Sequence, residues 1–335
     1  MTQFGTTQKG EDVAIVTLAA GDISIKVLTY GAIVQDVRIA GVAHGLTLGS
    51  DRLADYEDTM GYFGSIVGPI ANRISNARVR LDGMMYELER NENGQTHLHS
   101  GADGVHRKVW QIAEQTADSV RLVLAMPDGV AGLPGQREIS VTYRVSAPAT
   151  LTMTIDGTTD TTTCMNFASH IYWNLDGTNT WAGHSLRLSA DHYLPVDDKV
   201  CPTGEVVEVA DSDMDFRETR LLEIGAPALD HNFCLSDNVM PLCDVLWLTG
   251  KSGLQMTVAT TEPGVQIHDA SGSHRPGKAP YEGFIIEPQR WPDAPNNPRF
   301  PSIKVTPDQP YQQTTSWTFT RQPLSQSRFY QKFIC

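Results

Sequence analysis

Six consecutive residues, Ser169-His170-Ile171-Tyr172-Trp173-Asn174, gather an imidazole, a phenol, an indole and an amide. On an extended strand His170 and Tyr172 share one face, and Ile171 and Trp173 share the other. Such a strand lines a polar cleft on one side and closes an apolar core on the other. Histidine titrates near neutral pH, so His170 is a candidate for proton transfer. A lone histidine is more often a buried, hydrogen-bonded core residue, so the case rests on the groups that accompany it.

Five other polar clusters supply those groups. Gly68-Pro69-Ile70-Ala71-Asn72-Arg73-Ile74 pairs an amide with a guanidinium, a donor and acceptor mixture that suits hydroxyl groups. His97-Leu98-His99 reads as two imidazoles on one strand face, half of a metal site that His170 and Glu287 could complete. Asp230-His231-Asn232-Phe233 places a carboxylate and an amide before an aromatic. After the turn Glu262-Pro263-Gly264, alternation sets Gln266 and His268 on one face and Val265 and Ile267 on the other. In Phe284-Ile285-Ile286-Glu287-Pro288-Gln289 a carboxylate closes an apolar run. Restricted hydration raises a carboxyl pKa and makes it a better base near neutrality, so Glu287 is the first choice of carboxylate.

The elements that must position these groups read as strands. Ile23, Ile25 and Val27 alternate with polar residues, as do Ile139, Val141, Tyr143 and Val145. The same period recurs in Leu151, Met153 and Ile155, in Leu254, Met256 and Val258, and in Trp317 and Phe319. Asp82-Gly83, between Val79-Leu81 and Met85, signals a two-residue hairpin. Helical periodicity is confined to residues 51–60 and one turn at 221–224. The pattern predicts an all-β chain, a large antiparallel β-sandwich with very little helix. Residues 1–335 read as a single domain, with an irregular tail over 320–335, and the proline-rich stretch from Trp291 to Pro301 reads as an ordered surface loop.

Composition narrows the partners. The formal net charge is −13, unsuited to nucleic acid or an anionic membrane. No apolar run approaches the roughly 18 residues of a membrane helix, and the first ten residues carry no hydrophobic signal core. The five scattered cysteines lack metal-ligand spacing and read as reduced thiols, which points to a cytoplasmic protein.

Taken in order, these clusters resemble the aldose 1-epimerase (galactose mutarotase) family. Pro295-Asn296-Asn297-Pro298 with Phe300-Pro301 resembles its proline-rich loop, and the likeness runs from about residue 10 to 320. The resemblance implies the galactose mutarotase-like supersandwich fold and a cofactor-free, metal-free isomerase acting on a monosaccharide, as monomer or homodimer. It implies His170 as acid and Glu287 as base, and Asn72, Arg73, His99, Tyr172, Asp230 and Gln266 at the sugar. Pro69, Ser100 and His268 depart from the family pattern, which bears on sugar preference. Two alternatives stand beside it. A sugar-binding module would need no His170 with Glu287, and a glycosidase would need two carboxylates, such as Asp230 with Glu287. Acceleration of the optical-rotation change of a freshly dissolved α-sugar separates the three.

Overall fold

The structure is a computed structural model and describes residues 2–321. Its largest element is a nine-stranded antiparallel sheet. Long neighbouring strands, Arg137–Ser146, Thr150–Thr159 and Tyr311–Arg321, form its centre, and Leu254–Thr260 and Cys243–Thr249 continue it. The alternating residues behave as their spacing predicts. Ile139, Val141, Tyr143, Val145, Leu151, Met153, Ile155, Met256, Val258, Trp317 and Phe319 are all buried in one core cluster.

A four-stranded sheet over residues 2–39 contributes Val16, Ile23, Ile25 and Val27 to the same core. A six-stranded sheet closes it from another side. Its strands Tyr172–Trp173, Phe284–Gln289, Gly264–His268 and Asp230–Cys234 lie side by side in that order. Phe233, Val265, Ile267, Phe284 and Ile286 face the core. Because side chains alternate, the opposite face carries Asn232, Gln266 and Glu287, which are direct neighbours across the three strands.

The Asp82-Gly83 hairpin is present between Arg78–Leu81 and Met84–Glu87, with φ of 49° and 84° at its two turn residues. Among the described residues the one α-helix is Leu53–Glu57, inside the expected 51–60 span. The turn of helix expected at 221–224 is absent. Arg220–Leu221 is an edge strand paired with Ser185 and Leu186, so sheet pairing overrides a weak local pattern. Trp291 to Pro301 is ordered but is not a surface loop throughout, because Trp291 and Phe300 are buried edge to face at 5.2 Å. Cys164, Cys201 and Cys234 are free and buried, whereas Cys243 is disulfide-bonded and so departs from the expected reduced state. Cys335 and the rest of the expected tail beyond Arg321 lie outside the described residues.

Candidate active site

The floor of the site is a buried histidine and carboxylate. Glu287 sits within the Phe284–Gln289 strand, opposite Gln266, rather than at an exposed strand end. His170 lies between the short strands Ala168–Ser169 and Tyr172–Trp173, where its backbone bonds Ser65 and Gly64 on the neighbouring chain segment. The two meet with His170 Nε2 at 3.8 Å from Glu287 Oε1, and both side chains are about 95% or more buried. His170 Nδ1 and Glu287 Oε2 are buried with no partner in the protein. Two such atoms on one floor mark a surface built to meet a polar ligand.

Burial sets the electrostatics. It pushes His170 down to about 3, with the charge of His268 adding to the effect. It pushes Glu287 well above the ordinary carboxyl range, reinforced by Asp230 and opposed by Arg73. Both groups are driven toward their neutral forms.

The walls come from the loops that carry Asn72 and His99 and from the strands that carry Tyr172, Asp230 and Gln266. Asn72 and His99 adopt left-handed backbone, with φ of 60° and 50°. Their segments are tied together, since Asn72 N–H donates to His99 Nδ1 at 3.0 Å and His99 N–H donates to Asn72 O at 3.1 Å. Arg73 lies beside them. Its Nε and Nη2 fork onto Glu92 at 2.9 Å each, and its Nη1 reaches Asp230 Oδ2 at 3.3 Å. Burial alone would lower the Arg73 pKa, but Glu92 and Asp230 outweigh it and hold the charge. Gln266 Nε2 donates to Asp230 Oδ1 at 2.6 Å, so one carboxylate joins the guanidinium to the amide. Tyr172 stacks face to face on Phe63 at 3.7 Å, with its ring 5.3 Å from His170. Asn72, Arg73, His99, His170, Tyr172, Asp230, Gln266 and Glu287 thus form one connected group.

His97 does not join it. The strand ends at Leu98, and the left-handed turn at His99 sends the two imidazoles apart. His97 Nδ1–H donates instead to Glu89 O at 2.7 Å, which corrects the expected shared face. Among the described residues the group that best resembles a metal site is His99, His170 and Glu287, with ligand atoms within 4.8 Å of one another. Its chemistry does not fit. His99 Nδ1 accepts the Asn72 N–H, so in the neutral ring Nε2 carries the proton and offers no lone pair.

Three residues escape the sequence reading. Glu92 fixes Arg73 and is itself held by Thr96 Oγ1–H at 2.7 Å. Tyr62 packs its ring against His99 and His106 at 4.9 Å and against His170 at 5.6 Å. His106 is buried behind Tyr62 and pushed down to about 3, chiefly by desolvation. Glu92 stands in a charged turn, and Tyr62 stands between glycines and a phenylalanine. Neither spacing nor periodicity marks them. Of the three departures, Ser100 bonds the loop rather than the site, accepting from Ile70 N–H at 2.8 Å.

The profile of the family described as "Aldose 1-epimerase" matches residues 14–318. The chain is 32% identical to the galactose mutarotase of Bos taurus over 90% of this chain and 93% of that protein. It is 29% identical to the aldose 1-epimerase of Escherichia coli K12, over 92% and 96%. In structure it is similar to an aldose epimerase homologue from C. elegans, with TM-score 0.84, 28% identity and coverage of 92% and 99%. It is also similar to a galactose 1-epimerase from Lactobacillus acidophilus, with TM-score 0.82, 25% identity and coverage of 95% and 97%.

Proposed function

The chain belongs to the aldose 1-epimerase family, and from that premise we propose that it interconverts the α and β anomers of a free aldohexose or aldopentose, with His170 and Glu287 moving the protons. The observation that carries the assignment is the buried pair at 3.8 Å, each partner with an unpartnered polar atom.

Glu287 takes the proton from the anomeric hydroxyl while His170 Nε2–H gives one to the ring oxygen. The C1–O5 bond breaks and the C1=O1 carbonyl forms. The aldehyde rotates about C1–C2, and the reverse transfers close the ring on its other face. The pair rests as imidazole with carboxylic acid and reacts through its minor tautomer, imidazolium with carboxylate, returning to the neutral form as the ring opens. It holds one proton throughout, so no cofactor is consumed. A depressed His170 is a stronger acid and a raised Glu287 a stronger base, so burial tunes both toward the transfer each performs. Asn72, Arg73, His99, Asp230 and Gln266 bind the hydroxyls, and Tyr172 supports His170. The acidic net charge and the free, buried thiols of Cys164, Cys201 and Cys234 support a cytoplasmic monomer or homodimer working as one domain on a small sugar, against which stands the disulfide-bonded Cys243. No described helix is long and apolar enough to cross a membrane.

Glu287→Gln tests the assignment. It keeps shape and hydrogen bonding but removes basicity, so anomer exchange should fall roughly a hundred- to ten-thousand-fold while sugar affinity persists. Melting temperature should hold, because an amide is no harder to bury than this carboxyl. Near-normal exchange in a folded variant would move the base elsewhere.

A further inference from the structure

A second polar cleft, of about 360 Å³, lies away from the catalytic floor, between the four-stranded sheet and the loops around Gly49, Thr178 and Arg275. Its size falls at the lower end of the roughly 300–1,000 Å³ typical of small-molecule sites, the scale of one monosaccharide. Leu48 is its one large apolar lining side chain, so it does not suit an apolar ligand. Its formal charges cancel, with Lys26, Arg38 and Arg275 set against Asp36, Asp51 and Glu282. A site with that balance recognises a neutral ligand rather than an anion.

The lining is built rather than merely solvated. Glu282 is 5% exposed and receives Arg275 Nε–H at 2.9 Å, and Arg275 Nη1–H donates to Gly49 O at 3.0 Å. These bonds lock two loops into one wall. Gln35 is also 5% exposed. Its Nε2 donates to Ser50 O and Asp51 Oδ1 at 3.2 and 3.1 Å, while its Oε1 is buried without a partner. An unmet buried acceptor on a residue that lines the cleft is costly, and a ligand hydroxyl would satisfy it. The segment carrying His170 ends here, because Asn174 lines the cleft and donates to Glu282 O at 2.7 Å. Tyr172 stands between the two sites, with its carbonyl accepting Leu48 N–H at 3.0 Å.

We propose that this cleft is a second ligand site for a neutral polyhydroxylated molecule of monosaccharide size, with Gln35 as its central contact. The test uses ¹⁵N-labelled protein titrated with D-glucitol, a neutral acyclic hexitol with no ring to open, and separately with inorganic phosphate. D-glucitol should shift the amides of residues 45–51 and Thr178, and phosphate should not. Gln35→Met, which keeps length but removes both amide atoms, should weaken that response at least about tenfold, the size of one lost hydrogen bond. Thr178→Trp, at an exposed position, should fill the cleft and abolish the response even if Gln35→Met fails to fold. The proposal falls if D-glucitol leaves these amides unmoved or shifts only those around His99 and His170. It also falls if phosphate acts in its place, or if folded Thr178→Trp responds as fully as the parent.

Discussion

His170 and Glu287 hold one proton between them, and what matters for rate is the range of pH over which they hold it. A second proton enters as imidazolium beside carboxylic acid, and burial pushes that step down to about 3 at His170. Loss of the only proton leaves carboxylate beside imidazole, and burial delays it by raising Glu287. The profile of kcat/KM should therefore be a broad bell, whose acid limb lies well below the ordinary imidazole value near 6.5. An acid limb at 6 to 7, measured by polarimetry across a buffer series, would mean that His170 titrates as an exposed histidine and that the buried pair is not the catalytic one. The metal reading is tested at the same scale. His99 Nδ1 is taken up by the Asn72 N–H, which leaves the proton on Nε2 of the neutral ring, so incubation with a chelator followed by desalting should leave exchange unchanged. Stoichiometric metal in the purified protein, with activity lost on its removal, would overturn this.

At the scale of strands, the site depends on register between Asp230–Cys234, Gly264–His268 and Phe284–Gln289. Gly264 opens the middle strand at a point where neighbouring side chains press against it. A Cβ there would stand 2.7 Å from Asn232 Oδ1 and 2.9 Å from Trp291 Cδ1. Gly264→Ala must push these groups apart, at a cost of about 1–3 kcal/mol, and shift Gln266 away from Asp230. Both melting temperature and kcat/KM should fall. Gly83→Ala is the control. A Cβ there meets nothing within 4 Å, but φ is +84°, so stability should drop by about 1 kcal/mol with kcat/KM intact. Equal kinetic effects from the two would detach the site from strand register. The same scale shows what could be read in advance. Glu287 and Gln266 were legible because a period of two fixes which face each residue takes once a strand is recognised, whereas His170, which lies between strands, was legible from its residue type and its neighbours. Ile139 to Val145 and Leu151 to Ile155 were legible for the same reason. Glu92, Tyr62 and His106 were not, because their roles arise where loops distant in sequence close on one another. The expected His97-His99 pair failed because a strand pattern cannot announce a left-handed residue at its end, and 221–224 failed because four residues cannot outweigh pairing to Ser185 and Leu186.

For the molecule as a whole, the cost of enclosing so many titratable groups appears in its response to acid. Among the described residues, burial lowers the pKa of six histidines: His97, His99, His106, His170, His184 and His231. Below about 6.5 the unfolded chain protonates each of them and the fold does not. The native state then binds fewer protons, and stability falls with pH by up to about 1.4 kcal/mol per unit for each fully buried ring. Three acids work in the opposite sense. Glu262, pushed up to about 7 by burial, holds a proton that the unfolded chain releases, and Glu287 and Asp293 are also raised. Each adds stability as pH falls from its folded value toward its ordinary one. Six histidines against three acids leave a net loss of stability as pH falls between about 6.5 and 4.5. Carboxylates held below their ordinary values, such as Asp176, begin to add to the loss only under still stronger acid. The denaturant midpoint should therefore decline from pH 7 to pH 5, and His106→Gln, which removes one buried imidazole, should flatten that decline relative to the parent. A midpoint that stays level or rises over this interval would show that the buried acids outweigh the histidines, and that the histidine-rich wall around Tyr62 carries no penalty in acid.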